Sequence, residues 1–376
     1  MTVACSGAID CDIHLSVPST RSLLPYLDDY WADTIGTIVR GIEHLDLTSY
    51  PRNSSLNCRA DWRPADASTK PASSLDLVRR QLLEPFGTRI AIANCLHGAQ
   101  MLNNGDMGAV LCRAINDWLI EHWLDKEPRL RASIVVSLQN PDTAVTEVER
   151  LAHDKRFVQV LVVACGEMPL GRRFYWPLYA AAEKHRLPVG VHAGSMYRHA
   201  TSQSGFPSTL VEDYITSSQG IGSQLASFLA EGVFVKYPAL KVVLIESGVT
   251  WLPSLMWRFG KDWRGTRGEI PWLNKLPAEM IRDNVRLTLQ PFDGPPDARD
   301  VERFIEHIGS DRLILFSTDY PHHQFEGDAA LPAGLPAGLA RKIMVDNPLE
   351  TYPRLRVGST TNAPLGPLSP TGKGLG

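Results

Sequence analysis

Short apolar runs alternate with longer amphipathic stretches along most of this chain. Strand-like runs cover residues 8–14, 89–95, 132–138, 159–164, 188–192, 241–246, 285–290 and 312–318. Helical periodicity fills most of the gaps. Asp106 is a candidate cap for a helix over 107–123, and Asp142 for one over 143–153. Further helical patterns cover 173–185, 223–235, 251–263 and 297–308. A repeated strand-then-helix order predicts a parallel sheet with right-handed crossovers. Eight such units in one chain predict a closed (β/α)₈ barrel, an α/β fold.

The exceptions to the pattern carry the chemistry. Residues 15–87 are too long for a simple connection and hold Trp31, Arg40, His44 and Trp62 among many prolines and serines. We expect a lid or insert after strand one, with a short helix over 24–39. Residues 1–357 read as one domain, and the Pro/Gly-rich residues 358–376 as a mobile tail. Several apolar runs end on metal-ligand residue types: Asp12-Ile13-His14, Val189-Gly190-Val191-His192, Glu246, and Thr318-Asp319-Tyr320-Pro321-His322-His323. Residues two apart on a strand share a face, so Asp12 and His14 can grip one ion together. Active sites of such barrels lie at the C-terminal ends of the strands, where these residues fall. Asp12, His14, His192, Glu246 and Asp319 are therefore the predicted metal ligands. Glu246 and His322 are the predicted catalytic groups. Arg40, His97 and His323 are candidates for substrate contact or support of the site. Oxygen and nitrogen donors suit zinc, manganese or iron rather than a thiolate-bound metal.

Composition narrows the partners. The 376 residues are 44% hydrophobic and 21% charged, with a net charge of −3. That balance gives no reason to expect nucleic acid or an anionic membrane as partner. No apolar run reaches the length of a membrane span, and the N-terminus lacks a signal-peptide pattern. Six scattered cysteines with no CxxC pair fit a reducing cytoplasm. A small-molecule substrate is expected, with self-association or pairing with a related chain.

These segments together resemble the amidohydrolase-related family, in the branch that includes aminocarboxymuconate-semialdehyde decarboxylase. The resemblance runs from about Ala8 to Tyr352. It rests on Ile9-Asp10-Cys11-Asp12-Ile13-His14, Leu187-Pro188-Val189-Gly190-Val191-His192, Glu246-Ser247-Gly248, Gln290-Pro291-Phe292, Ser317-Thr318-Asp319-Tyr320-Pro321-His322 and Asn347-Pro348-Leu349-Glu350. It implies a metal-dependent barrel with ligands at positions 12, 14, 192 and 319. Two departures stand out. The first motif is DxH where the wider superfamily has HxH. Glu246 stands where the decarboxylases usually carry a catalytic histidine. The run 159–164 holds no lysine, so a carbamate-bridged metal pair is not expected.

The surplus of carboxylates and imidazoles makes a pair of iron or manganese ions the first expectation. The chain would then hydroxylate a small carboxylated or amino-acid-like substrate with oxygen, as a small set of hydroxylases resembling this family does. A mononuclear zinc hydrolase with Glu246 as base is the second expectation. A metal-dependent decarboxylase, with Glu246 or His322 protonating carbon, is the third. A metal-bearing partner subunit of a related catalytic chain is the fourth.

Overall fold

The computed structural model describes residues 5–38, 57–194, 198–327, 330–336 and 338–358. Eight parallel strands follow one another around a barrel. They are β1 Ile9–Ile13, β2 Ile90–Ala93, β3 Leu130–Val135, β4 Phe157–Val163, β5 Val189–His192, β6 Val242–Ile245, β7 Val285–Thr288 and β8 Ile314–Leu315. The backbone closes the ring: Cys11 N donates to Phe316 O at 2.9 Å, Asp319 N to Asp12 O at 3.0 Å and His14 N to Tyr320 O at 2.7 Å. Every predicted strand is present, and each is buried along nearly its whole length because helices cover it.

The helices differ more from the periodicity. The first long helix, Gly105–Leu119, is capped by the side chain of Asn104 rather than Asp106, which lies in its first turn. Asn140, not Asp142, caps Pro141–Leu151, with Pro141 at the favoured first position. Leu210–Ala230 starts far upstream of the predicted 223. Its Ser-, Gly- and Gln-rich middle hides the period, but Thr209 and Glu212 form a capping box that marks the start. Trp257 is 59% exposed on Trp251–Thr266. Part of the predicted 24–39 helix is instead a 3₁₀ turn over Thr20–Tyr26, the short helix Asp29–Asp33 and a wider turn over Thr34–Ile38. The predicted tail from 359 onward lies outside the described residues.

The described part of the insert packs on the segment that follows β8. Trp62 stacks against Phe325 at 5.7 Å and contacts Tyr320 at 4.9 Å. Arg59 N donates to Pro321 O, and Tyr320 Oη donates to Gln81 at 2.6 Å. These contacts fix the loop that carries Asp319 and His322.

Inside the barrel a polar network joins β2, β3 and β4 to the C-terminal segment. Gln159 donates to Asn94 Oδ1 at 3.1 Å and to Ser133 Oγ at 2.9 Å. Tyr352, from the C-terminal segment, donates to Gln159 Oε1 at 3.0 Å. Gly190 makes room for it: a Cβ there would lie 2.5 Å from the Gln159 amide. Arg354 holds the same segment in place by donating to the backbone oxygens of Phe157 and Ala152.

Candidate metal centre

β1 delivers Asp12 and His14. The register between β1 and β2 shifts between Asp10 and Ile13, the kind of irregularity that re-aims side chains beside active sites. Asp10 pins this strand to the far side of the barrel. It accepts from Thr318 N at 3.0 Å and from Thr318 Oγ1 at 2.6 Å. Burial drives its carboxyl up to about 7 against those hydrogen bonds. β5 delivers His192. Glu246 follows β6 directly and Asp319 lies a few residues beyond β8, and both take left-handed backbone conformations, with φ of 53° and 56°. Non-glycine residues rarely adopt that region, and such strain concentrates at functional sites.

The six side chains meet. Asp12, His14, His192 and Glu246 form one group, and His14, Glu246, Asp319 and His322 another; within each group the ligand atoms lie within 4.8 Å of one another. Glu246 Oε1 is the common point: 2.9 Å from His14 Nε2, 3.2 Å from His192 Nε2 and 3.2 Å from His322 Nδ1. Asp319 Oδ1 lies 3.0 Å from His14 Nε2 and 2.7 Å from His322 Nδ1.

The tautomers explain what the cluster needs. His14 Nδ1 donates to the backbone oxygen of Asn94 at 3.0 Å, and His192 Nδ1 to that of Ala193 at 2.7 Å. In a neutral ring each Nε2 then turns a lone pair toward carboxylate oxygens. That arrangement repels unless positive charge is placed there. Burial opposes charging these rings, yet the carboxylates prevail. Asp12, Asp319 and Glu246 hold His14 well above its usual value. Glu246 raises His192. Asp319 and Glu246 raise His322 to about 9. Asp319 rises to about 6 through burial and the neighbouring Glu246 charge.

Asp12 Oδ2, Asp319 Oδ2 and His192 Nε2 are buried with no hydrogen-bond partner among the described residues. Such orphans are rare and costly in a folded interior. A divalent cation satisfies both demands, and the oxygen and nitrogen donors suit manganese, zinc or iron.

The remaining candidates fall elsewhere. His97 caps the turn Gly98–Met101, its Nδ1 accepting from Ala99 N at 3.1 Å, with Nε2 3.3 Å from Thr20. His323 lies 2.5 Å from Asn57 Oδ1. Arg40 lies outside the described residues. Sequence reasoning missed Asn94, whose amide donates to Asp12 Oδ1 at 2.9 Å and aims that carboxylate. An asparagine at the end of a β-strand gives no periodic signal, so only the fold reveals it.

Residues 9–354 match the family described as "Amidohydrolase". A gamma-resorcylate decarboxylase of Polaromonas sp. (strain JS666 / ATCC BAA-500) is 27% identical over 223 residues, 57% of this chain and 67% of that protein. Among solved structures, an amidohydrolase from Mycobacterium avium subsp. paratuberculosis K-10 superposes with a TM-score of 0.67 at 23% identity, covering 92% of this chain and 99% of that one. A dihydroxybenzoic acid decarboxylase from Polaromonas sp. JS666, with bound manganese and 2-nitroresorcinol, gives a TM-score of 0.62 at 20% identity, covering 93% of this chain and 97% of that one.

These findings overturn the expectation of an oxygenase, and they do not favour a hydrolase: the curated relatives are decarboxylases. The ligand surplus misled because carboxylates and imidazoles also pair with each other. The two groups share His14 and Glu246, so the extra donors do not require a second ion.

Proposed function

This chain belongs to the amidohydrolase family, and on that premise we propose that it is a metal-dependent, non-oxidative decarboxylase of hydroxylated aromatic carboxylates. The likeness to gamma-resorcylate decarboxylases carries the reading. The cluster agrees with it, since an anionic acid needs positive charge where three buried carboxylates converge. Asp12, His14, His192 and Asp319 would hold one divalent ion, with Glu246 at its edge. Manganese is the first candidate. When bound, the ion neutralises the cluster and orients the incoming carboxylate and its ortho-hydroxyl.

The chain's own groups supply the proton. The bond between ring carbon and carboxylate breaks, carbon dioxide leaves, and the electron pair stays on the ring carbon. One proton must then arrive at that carbon, and no oxidant enters the balance. Glu246 replaces the strand-six histidine usual among the decarboxylases, and Asp319 and Glu246, acting against burial, leave His322 poised to hold a proton. His322 therefore donates, Asp319 orients its ring through Nδ1, and water returns the proton afterwards.

The test is carbon dioxide release from 2,6-dihydroxybenzoate and related hydroxybenzoates by manganese-loaded protein, under argon and under air. Equal rates in both, with solvent deuterium placed at the vacated carbon, are expected. Release that requires oxygen, or none from any hydroxybenzoate, would sink the reading.

A further inference from the structure

The metal centre leaves one buried carboxylate unexplained. Asp213 lies in the first turns of helix Leu210–Ala230 and is 4% exposed, with Oδ1 buried and no hydrogen-bond partner among the described residues. The first turns of this helix reach residues beside the metal cluster. The neighbouring Tyr214 accepts from Asn57, and its ring stands edge-on to His323 at 6.1 Å. His323 follows His322 directly. Thr216 Oγ1 meets Thr201 Oγ1 at 2.6 Å and ties this turn to the segment after β5.

Electrostatics give a second bearing. Burial first, and then the charge of Glu246, raise Asp213 to about 6, so the two carboxylates feel each other. Asp213 in turn adds to burial in raising Cys165, just past β4, to about 11. A buried acceptor without a donor destabilises the fold, and among the described residues no donor repays it. A helix turn at this position would accept Asn, Ser or Leu at lower cost.

We infer that Asp213 is a specificity-determining residue that accepts a hydrogen bond from a second substrate hydroxyl, beyond the one beside the reacting carboxylate. The inference rests on the decarboxylase reading above. It makes the preferred substrate a dihydroxylated rather than a monohydroxylated aromatic acid. A site built around an acceptor rejects the analogue that leaves the acceptor unpaired.

The test is calorimetric binding to the manganese-loaded full chain. The ligands are 2-hydroxybenzoate and its derivatives carrying a second hydroxyl at each remaining ring position. The wild type should bind one isomer about 10- to 100-fold more tightly than the parent. Asp213→Leu should erase that preference while holding 2-hydroxybenzoate within about threefold of wild type. Asp213→Asn, whose amide oxygen still accepts, should keep part of it, and it carries the test if the leucine variant does not fold. Both variants should melt at or above the wild-type temperature, since an unpaired charge has been removed. A wild type indifferent to the isomers, or a preference that survives in both variants, overturns the assignment even if carbon dioxide is released. No binding of any benzoate overturns the assignment together with the reading it rests on.

Discussion

Two polar groupings are buried in this barrel, and they obey different rules. In the amide-and-hydroxyl network, Gln159 is paired with Asn94, Ser133 and Tyr352. In the adjoining carboxylate–imidazole cluster, three buried atoms have no hydrogen-bond partner among the described residues, and two of its residues sit on left-handed backbone. The networks touch through Asn94, which donates to Asp12. A satisfied network specifies a core. An unsatisfied one beside it is held open for something the chain does not itself contain. The contrast teaches that burial of polar groups alone does not mark a site; several unpaired ligand atoms converging on one point do.

Substitutions should separate the two. The largest effect belongs to the cluster's ligands: Asp319→Asn or His192→Ala should lower turnover by about 10³-fold or more and empty the site, as metal analysis of the purified variant would record. Chelation of the wild type should reproduce the loss, and manganese should reverse it. Next comes His322→Asn, expected to reduce kcat by about 10²-fold while the metal content stays near that of wild type. An equal fall in metal content would make His322 a ligand instead of a proton donor.

The satisfied network should respond in the opposite way. Gln159→Leu leaves Tyr352 and Ser133 short of partners and should cost about 2–4 kcal/mol of stability in chemical denaturation. Activity per folded molecule should change by no more than about threefold if the network only supports the fold. The smallest effect lies outside both. Arg129 and Arg79 hold the Glu127 carboxylate down, to about 2. Its folded-state value is depressed, so its stabilisation is complete above the ordinary value of 4.5 and fades as pH falls toward 2. Glu127→Gln should remove about 1–2 kcal/mol at pH 7, a figure reduced for the part-exposed arginines, and flatten stability between those pH values.

The barrel was legible because each strand is a short apolar run with a ligand-type residue or turn beyond it. Asp12, His14, His192, Glu246, Asp319 and His322 were legible for the same reason, and the structure brings all six together. The misses have physical causes. Asn104 and Asn140 outcompeted the nearby aspartates as caps, because a cap is chosen by geometry within one or two residues. Asn94, Ser133 and Gln159 lie on unremarkable stretches, and only barrel closure makes them neighbours. Asp213 was hidden inside a helix whose composition masks its period. The reaction was misread because a count of ligand types does not reveal which of them pair with one another.

His14 and Asp319 stand 305 positions apart and touch. During synthesis the first half of the site must therefore wait, exposed or provisionally packed, until the eighth strand leaves the ribosome. Tyr352 and Arg354 arrive later still and seat themselves between strands already laid down. Fragments that end before residue 319 carry Asp12 and His14 without the partners that give them a purpose. The ability to capture an ion thus appears late and all at once, as a property of the finished ring.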